Sequence, residues 1–373
     1  MVKPFEFAAA GRILFGLGMV RELNSASKTL GRRPLLVTGS RTSAFEKDRI
    51  VLRITGEPTV DKVREATRFA RENQCDHVIG LGGGSVIDAG KAIAALLANG
   101  PEPLDYLEVI GKGHTLANPS VPFIAIPTTA GTGAEVTRNA VLSSPEHGVK
   151  ASLRSPSMLP TVAIVDPELT YSLPLSITAS TGVDALTQLI EPYVSIKANP
   201  LTDGFCIEGL RCASRSLRVA FTHPGDTQAR TEMALASLLS GLALANAGLG
   251  AVHGFAAPIG GMFQAPHGAV CAALLPAVTQ VNIQAVRGRD DALARYETIA
   301  RILTGRPQAT ADDLVPWLRE ACGALEIPPL HSYGITSEHF ADLASKAASA
   351  SSMKGNPVKL TAHELQEILE HAL

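Results

Sequence analysis

Apolar positions in the first half of the chain form short runs that alternate with amphipathic segments. Short apolar runs bounded by glycine or proline predict buried strands, and apolar positions spaced three to four residues apart predict helices. Because the two patterns alternate, the first half predicts a doubly wound, mainly parallel α/β sheet. The predicted strands begin at Arg12, Pro34, Ile50, Val78, Phe123 and Val162, and the predicted helices span 19–30, 42–49, 60–72 and 86–97.

After about Pro174 the pattern changes, and strand-like runs almost vanish. Helical periodicities follow one another, with proline, glycine and asparagine at the breaks. A chain of 373 residues is long enough for two domains. We therefore expect an α/β domain over 1–175 and an all-helical domain over 176–373. The predicted helices of the second domain span 178–196, 202–221, 226–247, 268–286, 290–303, 311–323, 337–350 and 362–371.

Composition and charge exclude several classes of partner. The formal net charge is −2 and the sequence has no basic run, so it does not predict a positively charged surface that would bind nucleic acid. No uninterrupted apolar run in the sequence reaches the length that spans a membrane. Five cysteines without a CxxC pair favour reduced thiols over a disulfide frame or a cysteine metal site. Since the first residues also lack the apolar core of a signal peptide, we expect a cytoplasmic protein.

A glycine-rich stretch, Gly82-Gly83-Gly84-Ser85, lies between a predicted strand and a predicted helix. Residues without a Cβ let backbone N–H groups approach a pyrophosphate, and the start of a helix favours negative charge. Ser85 is suited to donate to a phosphate oxygen or to cap the helix, and Asp88 lies in its first turn. The stretch lacks the GxGxxG spacing, so a plain strand-to-helix turn is the alternative.

A second loop of small and hydroxyl residues, Thr128–Glu135, also follows a predicted strand. Loops at the carboxyl ends of parallel strands line the crevice where open α/β sheets bind ligands. The strand at 34–38 runs into a similar small-residue turn, Gly39-Ser40. Downstream, Lys150 and Arg154 are within reach of phosphate or ribose, or are ordinary surface charges.

The stretch from Gly182 to Pro192 predicts a helix that carries Asp184 and Gln188 four residues apart. Side chains at this spacing project from one helix face, and the neighbouring residues are apolar. The simpler interpretation is that Asp184 caps a turn and that Gln188 forms a hydrogen bond with the backbone. Two histidines, each followed by glycine, favour a metal site instead, because one carboxylate and two imidazoles together can bind zinc or iron. They are His253 and His267, with the amide of Gln188 as the fourth candidate ligand.

Read together, five stretches of the sequence resemble the iron-containing (group III) alcohol dehydrogenase family, and the resemblance runs from Phe15 to the C-terminal tail. It implies a Rossmann-like dinucleotide domain followed by a helical domain, in the architecture also seen in dehydroquinate synthase-like proteins. It further implies a cleft that holds NAD(P) and a divalent metal, and a homodimer. The stretches are Gly82–Asp88, Pro127–Thr137, Asp184–Thr187, His253-Gly254 and Pro266–Gly268.

The resemblance assigns roles residue by residue. Asp184, His253 and His267 match three of the four family metal ligands, and we expect them to be the catalytic residues. Gln188 stands where most members carry histidine, and Ala257 stands where many carry a second histidine near the substrate. Iron, zinc, another divalent ion or an empty site therefore all remain open. The residues that the resemblance and the loops assign to cofactor binding are Gly39, Ser40, Gly83, Gly84, Ser85, Asp88, Thr128, Thr129, Thr132 and Lys150.

The turn Gly39-Ser40-Arg41 carries no carboxylate that would repel a 2′-phosphate, which favours NADP(H) over NAD(H). The function expected from the sequence is an NAD(P)-dependent oxidoreductase that interconverts a small alcohol and its aldehyde or ketone, with the metal as Lewis acid. Three alternatives stay open. They are a metal-independent oxo-acid reductase of the maleylacetate type, a metal-dependent cyclase or lyase, and a nucleotide-binding protein without turnover.

Overall fold

The computed structural model describes residues 4–40, 44–47 and 49–373, and in it the chain divides into two compact units. One consists of residues 9–129 and 133–170, and the other of residues 4–8, 130–132 and 171–373. The main change of unit falls at 170/171, near the expected boundary at 175/176. That the short segment 130–132 belongs with the second unit was not foreseen.

The first unit is an α/β fold built on a parallel sheet. Six strands pair side by side, all parallel, in the order β1-β8-β5-β4-β2-β3, as the alternating pattern predicted. The strands are β1 Arg12–Phe15, β2 Pro34–Thr38, β3 Ile50–Arg53, β4 His77–Gly82, β5 Phe123–Pro127, β6 Asn139–Ser144, β7 Val149–Arg154 and β8 Val162–Val165. The helices are α1 Leu23–Leu30, α2 Val60–Glu72 and α3 Gly84–Asn99.

Both faces of this sheet are buried, which explains why its strands read as nearly continuous apolar runs. Along β2, Leu35 and Val37 pack into one hydrophobic cluster and Leu36 packs into the other. Alternate residues of a strand point to opposite faces, so each central strand supplies both layers. Residues that lie at the carboxyl ends of neighbouring parallel strands are therefore brought to one edge of the sheet.

An antiparallel pair, β6 with β7, was missed by the sequence analysis. Its first strand alternates half-buried and buried residues from Asn139 to Ser144, which is the period of a strand with one covered face. The carboxylate of Asp88 on α3 accepts a hydrogen bond from the Val141 backbone N–H at 3.0 Å. This contact ties the hairpin to the helix that follows the glycine-rich loop.

The second unit is helical, and the described residues from 171 to 373 contain no strand. Its helices are α4 Leu175–Val194, α5 Pro200–Thr222, α6 Thr227–Ala247, α7 Ala251–Met262, α8 His267–Ala285, α9 Asp290–Thr304, α10 Leu314–Ala324, α11 Phe340–Ser349 and α12 Ala362–Ala372. The all-helical prediction is confirmed, but α7 was not predicted as a helix.

Helices α4 and α8 form the centre of the second unit. All of α4 from Gly182 to Val194 is buried. By length and composition α8 could cross a membrane, as could α6 and α7 taken as one span with a 97° bend, but 72% of α8 is buried inside the unit. A core helix of a folded unit has the same length and hydropathy, and the burial of α8 makes it part of the core.

Candidate metal centre and nucleotide loop

Three side chains with a carboxylate or an amide group line one face of α4. Asp184, Gln188 and Glu191 stand at intervals of four and three residues, and they are only 1%, 3% and 5% exposed. Residues at this spacing lie one above another on a helix surface. Since a buried carboxylate is costly unless it is paired or binds a cation, this polar row requires partners.

The first of these partners come from the start of α7. Gly250 precedes the helix and offers no capping side chain, so the first backbone N–H groups are satisfied from elsewhere. Glu191 Oε1 accepts from the Val252 N–H at 2.7 Å, and Asn356 Oδ1 accepts from the Ala251 N–H at 3.2 Å. The other oxygen of Glu191 lies 2.6 Å from Nδ1 of His253. The imidazole is thereby held with Nε2 directed to the remaining members of the site.

His267 is the first residue of α8, and the glycine after it sets its position. A Cβ on Gly268 would lie 2.7 Å from the carbonyl oxygen of Ser180, so only glycine allows α8 to begin so close to the backbone of α4. One turn further along α8, Cys271 projects from the same face as His267. Its side chain is fully buried.

Four side chains of the helical unit converge here, namely Asp184, His253, His267 and Cys271, and their candidate ligand atoms all lie within 4.8 Å of one another. Asp184 Oδ1 is 3.4 Å from His253 Nε2 and 3.9 Å from His267 Nε2. That oxygen is buried and has no hydrogen-bond partner. A buried carboxylate oxygen without a donor, facing two imidazole nitrogens and a sulfur, is the donor set of a transition-metal site. The residues therefore fit a divalent metal.

Gln188 lies beside this group but makes other contacts. Its Nε2 donates to Asp184 Oδ2 at 3.1 Å, and its Oε1 accepts from the Ser240 hydroxyl at 3.0 Å. The amide oxygen, the atom that a metal would need, faces the Ser240 hydroxyl, which is also 2.8 Å from the Ser237 carbonyl oxygen. Gln188 therefore lies beside Asp184, as its spacing on the helix predicted, and its role as a ligand stays a prediction.

The ionisation of the site reflects the same arrangement. The electrostatic interaction with Cys271 is the largest influence on His267, and against the opposing effect of partial burial it raises the pKa of that imidazole to about 9. Burial alone would lower the pKa of His253, but the charges of Cys271 and Glu191 and the contact with Asp184 raise it well above its ordinary value. Likewise, burial would raise the pKa of Asp184, and the two histidines hold it below its usual range. The pocket stabilises positive charge.

The glycine-rich loop lies between β4 and α3, as the sequence predicted. Gly83 is the N-cap of α3, with no capping side chain, and its carbonyl accepts from the N–H groups of Val86 and Ile87. The first N–H groups of such a helix have no acceptor within the helix and are suited to bind an anion. A Cβ on Gly83 would lie 3.4 Å from Cγ2 of Thr129, so the two loops meet at this point.

The remaining predicted cofactor residues are distributed more widely. Asp88 pairs with Lys91 at 3.1 Å and with the hairpin, and Lys150 pairs with Glu57 at 3.2 Å, so the contacts that the structure provides for both are structural. Their contact with a cofactor stays a prediction.

The other predicted cofactor residues lie at strand ends and at the start of α3. Gly84 and Ser85 form the first turn of α3, and Thr128 donates its N–H to the carbonyl oxygen of Gly82 at 2.9 Å. Gly39 and Ser40 follow β2, Arg41 lies outside the described residues, and Thr132 belongs to the helical unit.

The sequence did not point to two residues of the candidate metal centre, Glu191 and Cys271. The expectation that no cysteine takes part in a metal site conflicts with the position of Cys271, since only a CxxC spacing was considered. A usable signal existed, because Glu191 follows Gln188 by three residues within the predicted helix 178–196, and Cys271 follows by four residues His267, which directly precedes the predicted helix 268–286.

Comparison with known proteins places the chain in a family. Residues 10–167 match the profile described as iron-containing alcohol dehydrogenase, and residues 178–373 match the C-terminal profile of the Fe-containing alcohol dehydrogenase family. The chain therefore belongs to the iron-containing alcohol dehydrogenase family, and it is an oxidoreductase that acts on alcohols.

Individual relatives agree with this assignment. The chain is 45% identical to long-chain-alcohol dehydrogenase 1 of Geobacillus thermodenitrificans (strain NG80-2) over 225 residues, which cover 60% of this chain and 56% of that protein. It is 33% identical to 1,3-propanediol dehydrogenase of Klebsiella pneumoniae over 389 residues, with 99% of both chains covered. A crystal structure of sulfoacetaldehyde reductase from Bifidobacterium kashiwanohense in complex with NAD+ superposes with a TM-score of 0.86 at 30% identity, with 99% of both chains covered.

Proposed function

We propose that the protein is a cytoplasmic, NAD(P)-dependent oxidoreductase that interconverts a small alcohol and its aldehyde or ketone with the help of a divalent metal. The observation that carries the proposal is the buried Asp184 oxygen that lacks a hydrogen-bond donor and faces His253 and His267. When bound, the metal supplies a Lewis acid that polarises the substrate oxygen. The nicotinamide carries the hydride.

The residues of the chain would hold and orient these groups. Asp184, His253 and His267 are the proposed ligands, and Glu191 fixes the ring of His253 through Nδ1. His267 is the donor most open to solvent, with a side chain that is 40% exposed, while Asp184 and His253 are buried. Substrate is therefore proposed to approach from the side of His267.

The nucleotide is proposed to bind at the α/β unit. The uncapped start of α3 offers backbone N–H groups to the pyrophosphate, with Gly83 leaving room for close approach. At the turn after β2, Arg53 Nη1 donates to the carbonyl oxygen of Gly39 at 3.2 Å and also pairs with Glu46. An arginine near this turn is suited to bind a 2′-phosphate, which supports the preference for NADP(H) inferred from the absence of a carboxylate in the turn 39–41.

A substrate panel tests the reaction class. Oxidation of NADPH and of NADH is followed in the presence of short aldehydes, of ketones and of oxo-acids of matched chain length. We expect turnover of aldehydes or ketones, with the reverse reaction on the matching alcohols. Turnover confined to oxo-acids would assign the protein to the oxo-acid reductases instead, and absence of turnover with every substrate would contradict an enzymatic role.

A further inference from the structure

The metal centre contains a donor that the family pattern does not lead one to expect. Cys271 lies one helical turn after His267, its side chain is fully buried, and its sulfur is directed at the two histidines. The sulfur is 3.6 Å from Nε2 of His267 and 3.8 Å from Nε2 of His253. The other cysteines of the helical unit, at 206, 212 and 322, are not among the residues of this cluster.

These distances can be compared with the edges of a coordination tetrahedron. With zinc bonds of about 2.3 Å to sulfur and about 2.05 Å to nitrogen or oxygen, a sulfur–nitrogen edge is about 3.6 Å and a nitrogen–oxygen edge about 3.3 Å. The observed sulfur–nitrogen separations are 3.6 and 3.8 Å, and the separation of His253 Nε2 from Asp184 Oδ1 is 3.4 Å. Three of the four separations therefore match tetrahedral edges to about 0.2 Å. The fourth, from His267 Nε2 to Asp184 Oδ1 at 3.9 Å, belongs to the most exposed donor.

The amide of Gln188 does not complete this tetrahedron. Its oxygen accepts from Ser240, and its nitrogen donates to Asp184 Oδ2. Reversing the amide would place its oxygen against the oxygen of Asp184 and lose that hydrogen bond. In this orientation Gln188 fixes one carboxylate oxygen and leaves Oδ1, the one without a partner, for the metal. Gln188 thus acts as a positioning residue.

We propose that Cys271, and not Gln188, is the fourth protein ligand of the metal centre, and that the resulting Asp-His-His-Cys set makes the site selective for zinc over iron(II). A thiolate is a softer ligand than the imidazole or amide it would replace, and soft sulfur ligands with imidazole in tetrahedral geometry are typical of zinc. This inference rests on the proposed metal site and specifies its chemistry: with four protein ligands, the substrate oxygen would add as a fifth ligand.

Cobalt(II) substitution tests the ligand directly, because a thiolate bound to cobalt gives an intense near-ultraviolet charge-transfer band that imidazole and carboxylate do not give. The full-length protein is stripped with a chelator and titrated with cobalt(II), and the spectrum and the metal-to-protein ratio are recorded. We expect one cobalt per chain and the charge-transfer band in the unaltered protein. Stoichiometric cobalt without the band would overturn the role of Cys271 while leaving the proposed metal site intact.

Variants identify the sulfur. Cys271→Ser should abolish the band and weaken zinc binding, measured by competition with a chromophoric chelator, by about tenfold or more. The matched control is Cys206→Ser, which replaces another fully buried cysteine of the helical unit and should keep both band and affinity. Gln188→Ala should keep the band. A band that survives in Cys271→Ser, or one lost only in Gln188→Ala, would contradict the proposal. Failure of the unaltered protein to bind any metal would instead contradict the metal site itself.

The preference for zinc(II) over iron(II) is measured with the same chelator-stripped protein. Protein loaded anaerobically with equal zinc(II) and iron(II) is desalted, and its metal content is measured by mass spectrometry. We expect zinc to predominate in the unaltered protein, and we expect the preference to decrease in Cys271→Ser. An unaltered protein that retains mainly iron would overturn the proposed selectivity.

Discussion

Glu191 Oε2 lies 2.6 Å from His253 Nδ1, and this contact decides which nitrogen of the imidazole faces Asp184. The same carboxylate accepts the Val252 N–H through its other oxygen, so it also stabilises the start of α7. A negative charge at a helix N-terminus is favourable. One buried carboxylate therefore stabilises the start of the helix and orients the candidate metal ligand His253 that the helix carries.

Replacing that carboxylate by an amide should weaken the metal site. In Glu191→Gln the amide nitrogen would face Nδ1, which favours the tautomer with its proton on Nε2, the nitrogen needed for the metal. We expect zinc affinity to fall about 10- to 100-fold, measured by chelator competition. Glu232→Gln, at a carboxylate that is 17% exposed and accepts from Ser216, is the control. Unchanged affinity in Glu191→Gln would show that His253 needs no such support.

Replacing His267 should abolish catalytic turnover but leave nucleotide binding intact. All donors of the metal centre lie in the helical unit, whereas the glycine-rich loop lies in the α/β unit. His267→Ala should therefore abolish turnover and leave the Kd for NADPH, measured by fluorescence, within about twofold of its original value. The exposed His363 on α12 supplies the control variant, His363→Ala, which should stay active. An active His267→Ala protein would remove this residue from the reaction.

The two neighbouring glycines Gly82 and Gly83 should respond differently to alanine. A Cβ at Gly82 would lie 2.7 Å from the side chain of Val86, so Gly82→Ala should lower the free energy of unfolding by about 1–3 kcal/mol. A Cβ at Gly83 would lie no closer than 3.4 Å to Thr129, so the fold should tolerate it. Gly83→Ala should instead raise the Kd for the nucleotide about tenfold, since the methyl group would occupy the approach to the helix start.

Equilibrium unfolding in urea and titration with NADPH measure the two effects separately. Normal nucleotide affinity in a stable Gly83→Ala protein would exclude the start of α3 as the pyrophosphate site. Full stability of Gly82→Ala would show that α3 shifts to make room.

A buried carboxylate in the α/β unit gives a pH dependence of stability. Burial raises the pKa of Glu135 to about 7 from an ordinary value of 4.5, although Lys91 lies near enough to lower it. Because the folded protein holds this proton more tightly than the unfolded chain does, the stabilisation is complete below about pH 4.5 and is lost as pH rises to about 7. The loss amounts to about 3 kcal/mol.

The difference in free energy of unfolding between the unaltered protein and Glu135→Gln isolates this contribution, since glutamine does not titrate. Relative to the variant, the unaltered protein should lose stability between about pH 4.5 and about pH 7 and then change no further. A difference that is constant over this range would mean that Glu135 is ionised throughout.

The regular elements of the α/β unit were largely predictable from the sequence, since local signals and tertiary structure agree there. Helix α2 spans Val60–Glu72 as predicted, because Thr59 caps it by accepting from the Lys62 N–H and its apolar positions recur at helical spacing. Strand β5, Phe123–Pro127, is also as predicted, because it is apolar throughout and buried on both sides. The hairpin β6–β7 was missed although β6 alternates in burial, since no tight two-residue turn joins its strands.

Helix α7 was missed for a different reason. Three glycines and Pro258 within it give low helix propensity, and its N-cap residue has no capping side chain. Glu191 and Asn356 supply the missing acceptors from far along the chain. The sequence near 251–262 does not reveal acceptors that come from so far along the chain, so tertiary contacts determine where this helix forms.

The candidate site was predictable only in part for the same reason. Asp184, His253 and His267 were selected from their residue types and from the family resemblance, and the structure brings them together. Cys271 joins them through the packing of α8 against α4, and Glu191 joins them through its contacts with Val252 and His253 at the start of α7. Their spacing relative to His267 and Gln188 was visible in the sequence, but which helix faces meet is decided by the fold.

The most direct test of the metal-assisted reaction is turnover by stripped protein before and after metal is restored. Aldehyde-dependent oxidation of NADPH and of NADH would be measured after chelation, and again after addition of one equivalent of zinc(II) or iron(II). The account predicts that chelation abolishes turnover, that zinc restores it, and that NADPH is the better cofactor. Turnover that persists undiminished in protein shown by mass spectrometry to be free of metal would contradict it.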